Sequence, residues 1–214
     1  MADIVLATQS ASSTPSSGNG AIFIDSTAEI LCCKDDSGRV NAWSFNAAVT
    51  NQTVNAADTY LTNSDLLIPS FGLQAKTTFM WRVSASKTAA GTAQPIYNIR
   101  VGSGRATTDT TRLTLTAPAQ TAVLDIGTLI VMVTVRTVGG AGVIQGTAWW
   151  EHRGTAANTT TSGTGFANDT TGHVEATSGA IDMTAFAGLY AGLSANSGTL
   201  GVWTVTQVQA EANW

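Results

Sequence analysis

The sequence predicts an all-β protein: an antiparallel, jelly-roll-like β-sandwich preceded by an N-terminal arm and a short β-meander. Three observations lead there. Apolar residues recur at period 2: in 77–86, Phe79, Trp81, Val83 and Ala85 share one face and Thr78, Met80, Arg82 and Ser84 the other. The final segment is read the same way, Val202, Thr204, Thr206 and Val208 against Trp203, Val205, Gln207 and Gln209. No stretch joins a helical period to capping residues. Turn residues punctuate the chain throughout, in tight Gly-rich turns such as 138–142 and in longer polar links such as 154–172.

In chain order, residues 1–19 are rich in Ser, Thr, Ala and Gly, with Pro15 among them, and read as an extended arm. AIFID (21–25), EILCC (29–33) and RVNAW (39–43) follow as three short strands separated by STA and KDDSG turns. Such a meander is marginal alone in water and needs something to cover it. Residues 1–45 are therefore expected to form an arm and docking unit. Residues 46–63, rich in Asn, Ala and Thr, are expected to be a linker, and 64–214 the sandwich. Within the sandwich, strands are expected at 65–69, 77–86, 95–102, 112–116, 127–138, 143–153, 174–183, 188–195 and 202–210. Unequal strand lengths, with links alternating between tight and long, favour a jelly roll over a simpler Greek key, although chain order does not separate the two.

Composition removes several function classes. Charged residues make up 11% of the chain, against roughly 25% in ordinary soluble domains, and the formal net charge is −4. A nucleic-acid partner is not expected, because phosphate binding needs clustered Lys and Arg. A membrane span is not expected either, since the longest apolar run, 129–135, is far short of about 20 residues. MADIVLATQSASS has no basic region followed by an apolar stretch, so a secretion signal is not expected and synthesis in a cytoplasm is.

No catalytic, metal-binding or cofactor-binding residue is expected. Cys32 and Cys33 are neighbours on a strand, point to opposite faces, and cannot easily bond to each other or share a metal. His152 and His173 lack HxH or HExxH spacing. No GxSxG elbow occurs, and Gly102-Ser103-Gly104-Arg105 opens no helix and lacks the Gly-Lys-Ser/Thr end of a phosphate loop. Asp35-Asp36-Ser37-Gly38 reads as a tight turn. A glycosidase needs two carboxylates at a set separation, and Glu151, Asp169, Glu175 and Asp182 cannot be paired from sequence.

Two stretches, TYLTNSDLLIPSFGLQAKTTFMWRVSASKTAAGTAQPIYNIRVGS (59–103) and RLTLTAPAQTAVLDIGTLIVMVTVRTVGGAGVIQG (112–146), together with the terminal VWTVTQVQAE, resemble structural proteins of tailed bacteriophages. GAIFIDSTAEILCCKDDSGRV resembles the short attachment segment near the N-terminus of phage fibre and appendage proteins. The resemblance implies a non-enzymatic virion protein made in the host bacterial cytoplasm: a capsid decoration or cement protein, or a head fibre. Its partners would be itself, as a homotrimer formed through the sandwich, and the major capsid protein or another virion protein.

In that reading Ile22, Ile24, Ile30 and Leu31 form the particle-docking interface, buried against another chain. The alternative is a tail fibre or adsorption appendage that binds a host surface glycan through the loops at 154–172 and 195–201. Trp149, Trp150, Phe166 and Tyr190 are then the candidate stacking residues.

Overall fold

Period-2 alternation resolves into two sheets packed face to face. The computed structural model describes residues 6, 8–10, 13–152, 166 and 173–214, and no helix occurs among them. The strands are β1 (Thr8–Gln9), β2 (Ala21–Asp25), β3 (Leu31–Lys34), β4 (Val40–Ala48), β5 (Gln52–Val54), β6 (Thr59–Tyr60), β7 (Leu66–Leu67), β8 (Thr78–Lys87), β9 (Ile96–Gly102), β10 (Thr110–Thr116), β11 (Asp125–Thr137), β12 (Val143–His152), β13 (Val174–Thr177), β14 (Tyr190–Asn196) and β15 (Trp203–Asn213). Ten form one sheet in the order β1-β2-β3-β4-β15-β8-β11-β12-β13, with β5 also on β15. Five form the second in the order β10-β9-β14-β6, with β7 also on β14. β1 pairs parallel to β2, and every other pairing of these strands is antiparallel. The protein is a β-sandwich.

The core lies between the sheets. From the large sheet it takes Phe79, Trp81, Val83, Leu129, Val131, Val133 and Trp203, and from the small sheet Tyr97, Ile99, Leu115 and Leu193. Burial of each such side chain is worth about 1.5–3 kcal/mol. Four tryptophans point inward, and each indole N–H is satisfied. Trp81 Nε1 donates to the Ser64 carbonyl at 2.7 Å, Trp150 to Tyr97 Oη at 2.7 Å, Trp203 to Gln120 Oε1 at 3.0 Å and Trp214 to Ser44 Oγ at 2.7 Å. Trp43 and Trp149 are on the opposite, outer face of the large sheet.

Two features depart from the sequence reading. Residues 46–63, expected as a linker, contain the end of β4 and all of β5 and β6, and the expected boundary after residue 45 falls inside β4. β4 pairs with β3 over 40–42 and then with β15 over 43–48, so the meander continues the large sheet of the sandwich. Phe23, Cys32, Val40 and Ala42 accordingly belong to the same buried cluster as the sandwich core. Burial against β15 outweighs the weak strand preference of Asn46, Ala47 and Ala48.

The second departure is in β15. A bulge between Val205 and Gln207 inserts Thr206 as an extra residue, so Trp203, Val205, Val208 and Ala210 all face inward. Strict alternation would have grouped Gln207 and Gln209 with Trp203. The bulge turns both glutamines to the outer face.

Candidate functional site

The meander is built so that one face enters the core and the other stays in solvent. Ile22 lies opposite Cys33 and Ile24 opposite Leu31, while Phe23 lies opposite Cys32 on the buried side. Asp25 fixes this arrangement. Its buried carboxylate accepts hydrogen bonds from the backbone N–H groups of Thr27 at 2.9 Å and Ala28 at 2.8 Å, and from the hydroxyl of Ser70 at 2.5 Å. The 35–38 turn forms as read: Asp35 Oδ1 accepts from Ser37 N, Ser37 Oγ and Arg39 N, and Gly38 takes φ +88°. The Ser37 hydroxyl, with the backbone donors around it, holds the Asp35 carboxyl below its ordinary range. Both cysteines are free thiols, Cys32 buried and Cys33 exposed. Burial, and then the Asp25 carboxylate, push the Cys32 thiol up to about 11.

On the open face, Ile22 is 61% exposed and Leu31 55%, and β4 adds Trp43 at 60% and Phe45 at 53%. The Trp43 and Phe45 rings stack with centroids 6.0 Å apart. Large apolar side chains this exposed and this close together are the usual mark of an interaction surface. Ile24 is half-buried on the same face. Ile30, expected in the docking set, packs instead against the core from the β2–β3 turn. β3 covers β4 only as far as Ala42, and beyond it a cleft of about 370 Å³ opens, lined by Ile30, Trp43, Phe45, Asp65, Leu67 and Tyr190. Trp43 and Phe45 fall inside the expected docking unit 1–45 but outside its expected interface set of Ile22, Ile24, Ile30 and Leu31; alternation along the whole of β4, from Val40 to Ala48, is the signal that puts both on the open face.

The glycan-stacking candidates separate. Trp150 and Phe166 are internal: their rings stack at 3.7 Å and both pack edge-on against Trp203. Alternation puts Trp150 on the inner face, so these two rings serve the core and are not available to a sugar. Trp149 lies on the outer face and stacks on His173 at 5.3 Å. Tyr190 is half-buried and carries the Arg105 guanidinium over its ring at 4.9 Å. The side chain of His152, most of the 154–172 loop, and Asp169 lie outside the described residues. In the 195–201 loop, Ser197 Oγ donates to the Gly201 carbonyl at 2.6 Å and Gln120 Nε2 to the Ser197 carbonyl at 2.5 Å, which leaves Leu200 as the exposed tip.

The remaining carboxylates are also separated. Glu175 lies opposite Thr147, four residues along β12 from Glu151, a spacing of about 13 Å. Glycosidase carboxylates stand roughly 5–9.5 Å apart, so these two do not form such a pair. Asp182 caps its own turn, accepting from Thr184 N and Oγ1.

The outer face also holds a polar groove of about 320 Å³ between β12 and β15. Cross-strand register sets its lining. One row runs Glu151, Thr128, Ser84, Gln207, and the next runs Trp149, Ile130, Arg82, Gln209. A second groove, of about 260 Å³, adjoins it through Arg82 and Gln209 and reaches Trp43 and Phe45.

No protein-family model matches the chain, and no curated protein matches it. Among solved structures the chain is similar to lectin I-B4 from Griffonia simplicifolia in its metal-free form, with 8% identity, 92% of this chain and 93% of that chain covered, and a TM-score of 0.29. At that level of similarity neither fold nor ligand is argued from it.

Proposed function

We propose that the protein is a non-enzymatic structural component of a phage virion, a capsid decoration or cement protein or a head fibre, that docks through the open face of its N-terminal meander and self-associates as a homotrimer. The observation that carries the reading is the exposed row of Ile22, Leu31, Trp43 and Phe45 at one end of the large sheet. Depletion of charge with enrichment of aromatic and aliphatic side chains is what the centre of a protein interface requires. Beside the row, β4 has no strand partner beyond Ala42 on its β3 side among the described residues, so a neighbouring chain could add a strand there. A protein bound this way to assembled particles, and not to their dissociated subunits, stabilises the particle by mass action.

The test combines Ile22→Lys with Leu31→Lys, two exposed positions at which charge leaves the fold intact. Wild-type protein is expected to co-sediment with virions and the double variant to be lost from them at unchanged melting temperature. Wild-type occupancy by the double variant would overturn the reading. Sedimentation equilibrium of the 22.0 kDa chain checks the trimer separately.

A further inference from the structure

We infer that the polar groove between β12 and β15 is a binding subsite for a neutral, hydroxyl-rich saccharide. Thr128 is the first reason. It is only 6% exposed, it lines the groove, and its Oγ1 has no hydrogen-bond partner among the described residues. A buried hydroxyl without a partner is costly and uncommon in folded proteins, and one that lines a groove is satisfied when a ligand hydroxyl occupies it.

The groups around it are the second reason. Arg82, Glu151, Gln207 and Gln209 line the same groove. None of the four makes a side-chain hydrogen bond or ion pair among the described residues. Guanidinium, carboxylate and carboxamide are planar groups offering paired donors or acceptors, which suits them to adjacent hydroxyls on a sugar ring. Among the described lining residues one Arg and one Glu cancel in formal charge, which disfavours phosphate and other polyanions, and a single carboxylate there falls well short of the oxygen set a hard cation needs. Ile130 supplies an apolar patch beside the polar row, as ligand sites combine the two.

The Thr206 bulge is the third reason. It interrupts regular pairing at the one position that presents both glutamines to this face, and bulges of this kind re-aim side chains beside binding sites. The adjoining groove toward Trp43 and Phe45 extends the same surface, so a chain of sugars could pass from the polar rows onto aromatic rings.

The inference does not rest on particle docking. Its test uses the full chain against a panel of neutral and acidic oligosaccharides, followed by titration of any binder. The variants are Thr128→Val, which replaces the hydroxyl by a methyl group of similar shape, and Gln207→Ala with Gln209→Ala. At least one neutral oligosaccharide is expected to bind, with affinity lowered several-fold by Thr128→Val and at least tenfold by the double variant, while Ile22→Lys with Leu31→Lys binds as wild type. Thr128→Val is also expected to melt no lower than wild type, since it removes an unsatisfied group. Binding to none of the neutral oligosaccharides at millimolar concentration, binding to acidic ones alone, or affinity unchanged in Thr128→Val and the glutamine variant would each overturn it.

Discussion

Asp25 and Ser70 fasten the meander to the sandwich. The buried carboxylate at the end of β2 accepts both the Ser70 hydroxyl at 2.5 Å and the Ser70 backbone N–H at 3.2 Å, across 45 residues of sequence. Asp25→Ala strands the donors of Thr27, Ala28 and Ser70 and is expected to cost about 2–4 kcal/mol. Asp25→Asn, which retains one acceptor oxygen, should cost less. Urea titration gives the totals. Faster amide exchange at Thr27, Ala28 and Ser70 than across β8 and β11 would locate the loss, and equal effects of the two substitutions would contradict the assignment.

Trp150 and Tyr97 form the polar contact at the centre of the aromatic core. Tyr97→Phe removes the acceptor for Trp150 Nε1 and leaves a buried N–H unpaired, a loss of about 1–3 kcal/mol. For a chain of this length that lowers the melting temperature by about 2–4 °C per kcal/mol. Burial also raises the Tyr97 phenol well above its ordinary value. Burial raises the Tyr60 phenol in the same way, so the folded protein should titrate two tyrosines fewer in the alkaline ultraviolet difference spectrum than the unfolded chain does.

The two cysteines should behave differently. Alkylation of the native protein at pH 8 is expected to modify Cys33 alone, and both after denaturation, because Cys32 is buried and its thiol is held protonated. The sign of the pH effect follows. The thiol titrates near 9.0 ordinarily and near 11 in the folded chain, so the unfolded state loses its proton first. The contribution to stability is complete below pH 9 and declines as pH rises toward 11. Cys32→Ala should flatten that part of the stability curve, whatever it costs in packing.

Gly91 and Gly140 provide a paired test of backbone approach. A Cβ on Gly91 would stand 2.2 Å from the Gly201 backbone nitrogen, so Gly91→Ala must push the 88–93 segment away from the 197–201 loop, at an expected cost of about 2–4 kcal/mol. A Cβ on Gly140 meets nothing within 4 Å. Gly140→Ala should lie within about 0.5 kcal/mol of wild type, or gain slightly through the unfolded state. Thermal melts of the two variants decide it.

Most of the sandwich was legible in the sequence because alternation survives wherever one face is buried. Phe79, Trp81, Val83 and Ala85 fall inward as read, and AIFID forms β2 over the residues expected. What escaped was long-range. Nothing local in Asn46-Ala47-Ala48 announces a strand, and its partner β15 lies some 160 residues away, so a linker was the natural reading. The Thr206 bulge was equally invisible, because one inserted residue changes no composition yet reverses the facing of every residue beyond it. For the candidate site, Ile22 and Leu31 could be read from the meander itself. The polar groove needs the register of four strands and could not be.

The position of β15 between β4 and β8 also sets an order of events on the ribosome. The meander is made early, but the strand it must join is made late, about 165 residues after Ala48. At 5–20 residues per second that interval is on the order of ten to thirty seconds. Throughout it, β4 has no partner along the edge that β15 will occupy over residues 43–48, and the open row of Ile22 and Leu31 is displayed beside that edge. When translation is slow, a nascent chain therefore presents an unpaired strand edge that the finished protein hides. Recruitment of holdase chaperones should peak before residue 203 emerges and fall once β15 has inserted.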